Sequence, residues 1–301
     1  MISIIVCTYN RDKYIYQCLS NLAKNLTRYD WEIILVNNNS SDSTQSECER
    51  FHVDYPSVKF HYFMESTPGL SYARNRGMRE AHGDWFVFLD DDSMVGGDYI
   101  EQLGQLLDRF PDAGAFGGAI TPFFEDKTPA WLSKWSMGFV SAIDMGNDVV
   151  EFANGKYPIG ANMGISRKVI NEIGDFNTSL GRTKDLLLGG EEKEIFARIR
   201  SAKYSIYYFP NIMVKHCIPP RRTTYEFIKK LGYGVGVSEY LRTKSISRLE
   251  YVKRLILELI KWAGTLVIWL GYLISCQLPK GNVLILFRYN VSKGLLYGKK
   301  E

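Results

Sequence analysis

Residues 85–93 read Trp85-Phe86-Val87-Phe88-Leu89-Asp90-Asp91-Asp92-Ser93. Five large apolar residues run straight into three carboxylates. A short apolar run of this kind is the pattern of a strand buried on both faces. Three adjacent acids repel one another and raise each other's pKa unless a cation is near. Taken alone, the acids read equally well as a solvated turn or as hard oxygen ligands for Mg or Mn.

The surrounding sequence favours the ligand reading. Residues 2–8, 32–36 and 58–63 are further apolar strand patterns. Helical patterns lie between them. One covers 11–25, with Tyr14, Cys18 and Leu22 on one face. One starts at Thr44, where Thr44 and Glu47 have capping-box spacing. A third covers 71–81, with Gly83 as its stop. Doubly apolar strands separated by helices predict a parallel sheet covered on both sides. Such sheets bind ligands outside the carboxyl ends of their strands. Three of the first four strand patterns end in polar stretches: Thr8-Tyr9-Asn10-Arg11, Asn37-Asn38-Asn39-Ser40-Ser41-Asp42, and Asp90 to Asp92.

Beyond residue 118 the rhythm changes. Residues 121–148 are aromatic-rich, with Trp131 and Trp135, and give no clear element. Residues 159–165 read as a strand interrupted by glycine. Gly189-Gly190-Glu191-Glu192 opens a helix reaching about Ala202, with its acids at the positive helix end.

Composition excludes several classes. Apolar residues make up 46% and charged residues 23%, a globular rather than disordered balance. The five cysteines are scattered without a CxxC pair, which argues against a disulfide framework or a cysteine-zinc site; buried free thiols are expected. No basic segment precedes the first apolar run, so a cleavable signal is not expected. Net charge is +4 but segregated: residues 242–301 hold 11 Lys/Arg against 3 Asp/Glu. Those bases frame apolar helices instead of forming a polar face, which disfavours nucleic acid and favours an anionic membrane surface. Trp262 to Leu278 is 17 residues without charge, between Lys261 and Lys280. Three readings stay open: an in-plane or re-entrant helix pair on the membrane, a spanning helix, or a core helix or homo-oligomer contact.

The residues carry a resemblance. SIIVCTYNR (3–11), VNNNSSDST (36–44), PGLSYARNRGMREAHGDWFVFLDDD (68–92), GGEEKEI (189–195) and HCIPPRRT (216–223) occur in the order seen in family 2 glycosyltransferases of the GT-A fold. The pattern around GANMGISR, LGR and GGEEKEI is similar to bacterial transferases that build surface polysaccharides. The resemblance covers roughly the first 225 residues. It implies an α/β GT-A domain over 1–225, Rossmann-like, with a mostly parallel sheet flanked by helices. Residues 226–301 would be a helical, basic, membrane-associated region at the cytoplasmic face.

The resemblance also implies roles. Asp90 and Asp92 fall on the two acids of the DxD motif, which holds Mn or Mg against the donor diphosphate; Asp91 would face the nucleotide. Thr8, Tyr9, Asn10 and Arg11 fall on the first nucleotide loop. Asn37 and Asn38 stand where the family usually has an Asp pair, and Asn38 would still accept a hydrogen bond from a base. Arg74 would approach the nucleotide, Asn162 would border the sugar, and His216 and Arg222 would close over the diphosphate. Glu192, beside Glu191, falls on the catalytic base. The implied reaction is metal-dependent and inverting, from a nucleotide-sugar donor (a UDP-sugar favoured) to a lipid-linked or glycan hydroxyl. The alternatives are a non-catalytic nucleotide-sugar binder and a sugar-nucleotide pyrophosphorylase. The latter should carry a Gly-rich loop where this chain reads TYNRDKY.

Overall fold

The computed structural model describes residues 1–180 and 189–298. They divide into two compact units. The first comprises Met1–Phe123, Ser141–Ser179 and Glu191–Cys217. The second comprises Phe124–Val140, the described residues of Leu180–Gly190, and the described chain from Ile218 onward. Gly181 and Arg182 of the LGR tripeptide lie outside the described residues.

The first unit opens with β1 (Ile2–Thr8), α1 (Asp12–Ala23), β2 (Trp31–Asn37), α2 (Thr44–Asp54), β3 (Phe60–Met64), α3 (Leu70–Glu80) and β4 (Trp85–Asp90). There follow β5 (Ser93–Val95), α4 (Tyr99–Arg109), β6 (Ala113–Phe124), β7 (Val150–Glu151), β8 (Met163–Ser166), α5 (Arg167–Ile173), α6 (Glu191–Ser201) and β9 (Ser205–Ile218). The sheet order is β3-β2-β1-β4-β8-β6-β9-β5, with β7 paired to β9.

The four expected strands pair in parallel: β1 with β2 and β4, and β2 with β3. The other half is antiparallel, through β4–β8, β6–β8, β5–β9 and β7–β9. The sheet is therefore mixed, not mostly parallel. Strands joined by crossover helices run parallel, and this alternation stops after β4. Side chains of successive residues point to opposite faces. Ile4 and Val6 of β1, Ile33 and Leu35 of β2, and Val87 and Leu89 of β4 share one core with α1, α2 and α4. Ile5, Ile34, Val36, Phe86 and Phe88 share the other with α3, α5 and α6. Burial of each such side chain contributes about 1.5–3 kcal/mol, which fixes the strand ends that carry the site.

Three local expectations change. The helix at Thr44 forms without a capping box: Thr44 Oγ1 bonds Asp42 Oδ1 at 2.5 Å, and Asp42 Oδ1 also accepts from the Thr44 amide. Gly83 is not the stop of α3, whose last backbone bond ends at Ala81. It is small because a Cβ there would lie 2.7 Å from the Met1 carbonyl oxygen and from Ser3 Oγ. The strand expected over 159–165 shortens to β8.

The described residues of the second unit include the α-helices α7 (Tyr225–Ile246), α8 (Arg248–Ile274) and α9 (Leu278–Tyr297). Helices α7 and α9 touch backbone to backbone. A Cβ on Gly294 would lie 2.2 Å from the Tyr233 carbonyl oxygen, and one on Gly236 2.1 Å from that of Val291. Polarity is inverted along α8. Its buried residues are Arg254, Glu258 and Thr265, whereas Leu249, Val252, Ile256, Leu259, Ile260 and Val267 are exposed. The buried charges close a network: Arg254 pairs with Glu239 at 2.9 Å and Glu258 at 2.8 Å, and Arg288 reaches Glu258 at 3.3 Å. Among the described residues α8 is the one helix long and apolar enough to cross a membrane.

Candidate active site

Two polar loops interlock at the carboxyl ends of β1 and β2. The Asn38 amide donates to the Thr8 carbonyl at 2.8 Å. The Asn10 amide donates to Ser40 Oγ, and the Ser41 amide returns a bond to Asn10 Oδ1. The Arg11 amide donates to Thr44 Oγ1, and that of Asp12 to Asp42 Oδ2. The amides at the start of α1 are thus satisfied by the loop before α2, while Thr44, at the start of α2, bonds Asp42 of its own loop. Asn10 and Asn39 sit at φ 53° and 63°, a region that asparagine tolerates better than most residues.

The acids follow on β4. Asp91 and Asp92 are buried, and Asp90 is half-buried. Arg11 supplies the nearby positive charge: Nε lies 3.4 Å from Asp91 Oδ1 and Nη2 3.4 Å from Asp92 Oδ2. Burial pushes the Asp91 carboxyl up to about 7, with Arg11 opposing and Asp92 adding to the rise. The antiparallel β5–β9 ladder pairs Ser93 with His216. His216 Nε2 consequently lies 2.9 Å from Asp92 Oδ1 and 3.9 Å from Asp90 Oδ2. Ligand atoms of Asp90, Asp92 and His216 all fall within 4.8 Å of one another. Two carboxylates and one imidazole nitrogen gathered this closely suit a divalent ion that accepts both donor types, Mn2+ better than Mg2+.

A second cluster comes from α3 and α6. Arg74 is buried, with Nη1 3.3 Å from Glu191 Oε1 and Nη2 3.0 Å from Glu192 Oε1. Its guanidinium also lies over the Phe88 and Phe176 rings. Glu192 Oε1 accepts the Gly160 amide at 2.9 Å. Gly160 has no room for a side chain, because its Cβ would meet Arg74 Nη2 at 2.0 Å. The Glu191 side chain is 4% exposed and that of Glu192 19%, so Glu192 is the acid a ligand could reach. Burial pushes the Glu192 carboxyl up to about 7; Arg74 opposes this, while Glu191 and Asp90 add to it.

Several expected donor contacts are committed elsewhere. Asn38 Nδ2 donates to the carbonyls of Glu65 and Thr67, and its Oδ1 accepts the Gly69 amide. Asn37 is spent on Tyr62 and the Ser40 amide. Asn162 accepts from Tyr99 and donates to the Ala119 and Ile212 carbonyls, so it braces the sheet. Arg74 pairs with both glutamates. Arg222 belongs to the second unit, over the Phe227 ring. Thr8 is buried beside Asp91, and Tyr9 is 39% exposed at the strand end. The resemblance puts His216 near the diphosphate, but its contact with Asp92, like the Arg74–glutamate cluster, depends on long-range register that local pattern does not encode.

The sequence profile of Glycosyl transferase family 2 matches residues 3–174. The chain belongs to this family. The family 2 chain is 25% identical over 246 residues to the glucosyl-dolichyl phosphate glucuronosyltransferase of Haloferax volcanii, covering 79% of this chain and 76% of that one. It is 27% identical to the succinoglycan biosynthesis protein ExoM of Rhizobium meliloti, over 78% of this chain and 72% of that one. In fold it is similar to the mannosyltransferase PcManGT of Pyrobaculum calidifontis, solved with GDP-Man and Mn2+. That likeness has TM-score 0.64 and 16% identity, covering 99% of this chain and 88% of that chain. The mixed sheet is GT-A-like, and the protein is a glycosyltransferase.

Proposed function

We propose that this family 2 glycosyltransferase is metal-dependent and inverting, and that it moves a sugar from a nucleoside diphosphate, UDP favoured, to an acceptor hydroxyl. The observation that carries this reading is the oxygen–oxygen–nitrogen set of Asp90, Asp92 and His216 at the strand ends. These three residues would hold Mn2+ or Mg2+, which when bound neutralises charge on the departing diphosphate. Thr8, Tyr9, Asn10 and Arg11 line the adjoining loop, where Tyr9 offers an exposed ring to a base. Glu192 takes the acceptor proton as the new C–O bond forms at the anomeric carbon, opposite the leaving group. A carboxyl titrating near 7 is matched to that work at neutral pH. Arg74 and Gly160 hold Glu192 Oε1 and so orient the carboxylate. Glu191 adds charge behind it.

The domain reading is a catalytic region over 1–225 and a membrane-associated region over 226–301. The acceptor is a lipid-linked saccharide of polysaccharide or glycan assembly, met at the cytoplasmic face. The inverted polarity of α8 supports this. Charges are paired inward and aliphatic side chains face outward, the arrangement that suits a lipid surround. Close α7–α9 contact through Gly236 and Gly294 is the small-residue packing used by membrane helices. Flanking Lys/Arg favour an anionic leaflet.

The test is a screen of nucleotide sugars with Mn2+, in which turnover by the intact chain is compared with Glu192→Gln. A preferred donor should be consumed by the wild type and at least about 100-fold more slowly by the variant. Equal turnover by both would reject Glu192 as base. Consumption that continues unchanged under chelator would reject the metal.

A further inference from the structure

We propose that the first unit carries a second divalent-metal site, of zinc type, formed by Glu32, His61 and His82 at the opposite end of the sheet. Of the four histidines in the chain, two converge on one buried carboxylate. His61 Nε2 lies 3.5 Å and His82 Nδ1 3.0 Å from Glu32 Oε2. Ligand atoms of all three residues fall within 4.8 Å of one another. A tetrahedral zinc ion with bonds of about 2.0–2.1 Å sets ligand–ligand edges of about 3.3 Å. The two measured edges bracket that value.

The carboxylate is oriented for the task. The Glu32 side chain is 3% exposed. Its Oε1 accepts from Ser3 Oγ at 2.6 Å and from the His82 amide at 2.7 Å. Those bonds leave Oε2 to face both imidazoles, as outer-shell partners do for metal-ligating carboxylates. Ser3 is itself held by the Gly83 amide. Because Gly83 lacks a Cβ, the 82–83 turn lies close on β1, and this brings His82 over Glu32. The imidazole side chains are 42% and 67% exposed, which leaves an entry path and room for a water as fourth ligand.

Placement separates this cluster from the catalytic end. Glu32 and His61 are the second residues of β2 and β3, and His82 precedes β4. From Glu32 to Asn37 the strand rises roughly 17 Å, at about 3.3 Å per residue. A metal here would clip β2, β3 and the α3–β4 turn together. Two imidazoles and one carboxylate suit zinc better than the oxygen-preferring ions of the first site.

The experiment uses the intact, tag-free chain carrying Asp92→Asn, which disables the catalytic ion set. Zinc chloride is titrated by calorimetry, and cobalt(II) is followed by its visible absorption. One equivalent of zinc is expected, with the intense bands of low-coordinate cobalt. His61→Ala and His82→Ala should each weaken binding at least about tenfold and abolish the zinc-induced rise in Tm. Both histidines are exposed, so the variants retain the fold, which circular dichroism checks. No uptake in excess zinc, or uptake undiminished in both histidine variants, would overturn the proposal and leave an ordinary His–Glu contact.

Discussion

Replacing Arg74 by Met removes a cation that touches both α6 glutamates and leaves an apolar side chain beside Phe88 and Phe176. With Arg74 present, Glu192 titrates at about 7 and is about half charged at neutral pH. An opposite charge at this distance lowers a carboxyl pKa by about 1–3 units, so its removal raises that of Glu192 by the same amount. At pH 7 the charged fraction then falls about 5- to 500-fold, and with it the rate. The loss is recoverable: raising the pH restores the base, and the acid limb of the rate profile moves up by about 1–3 units. Stability suffers too, by about 3–5 kcal/mol, because two buried carboxylates lose their partner. Arg74→Lys keeps the charge and should leave the limb near its original place. The assay is donor consumption across pH on folded protein. An acid limb that stays put in Arg74→Met would refute both the base assignment and the positioning role.

Three further outcomes follow from the geometry. The folded-state pKa of Glu192 lies above its unfolded value, so the native state binds more protons between pH 4.5 and 7. Stability should fall as pH rises through that window, by no more than about 3 kcal/mol, and Glu192→Gln should flatten the fall in denaturant titrations. Asn38→Asp removes the donor to the Glu65 and Thr67 carbonyls and sets a carboxylate against them; a loss of about 1–3 kcal/mol is expected, read as a lower Tm. Gly294→Ala forces α9 away from the Tyr233 carbonyl and should cost about 1–3 kcal/mol, measured by unfolding in detergent.

The parallel half of the sheet was legible because each strand is apolar on both faces and each strand end changes abruptly to polar residues. Asp90 and Asp92 could be found for the same reason. The antiparallel half was not, since β4 pairs with β8 across a long stretch of chain and no local pattern encodes that register. His216 shows the cost of this: its place beside Asp92 comes from the β5–β9 ladder alone. Asn38 and Asn162 brace loops and sheet, and no local pattern tells a polar residue with that task from one that faces a ligand. Arg74 was placed correctly on α3, but its partners lie more than a hundred residues away.

The two compact units are woven, not joined end to end. The backbone passes between them five times, and the second unit draws Phe124–Val140 from the middle of the chain. The Phe139 ring from that segment packs tilted against Phe287 of α9, centroids 4.3 Å apart, and Trp131 donates to the Thr223 carbonyl. A chain cut after residue 225 would strip Phe139 of Phe287 and expose it. Chimeras of this protein therefore cannot be made by exchanging a C-terminal cassette. Any graft of the helical unit must carry its mid-chain segments with it, and a shortened enzyme made for crystallisation would need Phe139 redesigned as a surface residue.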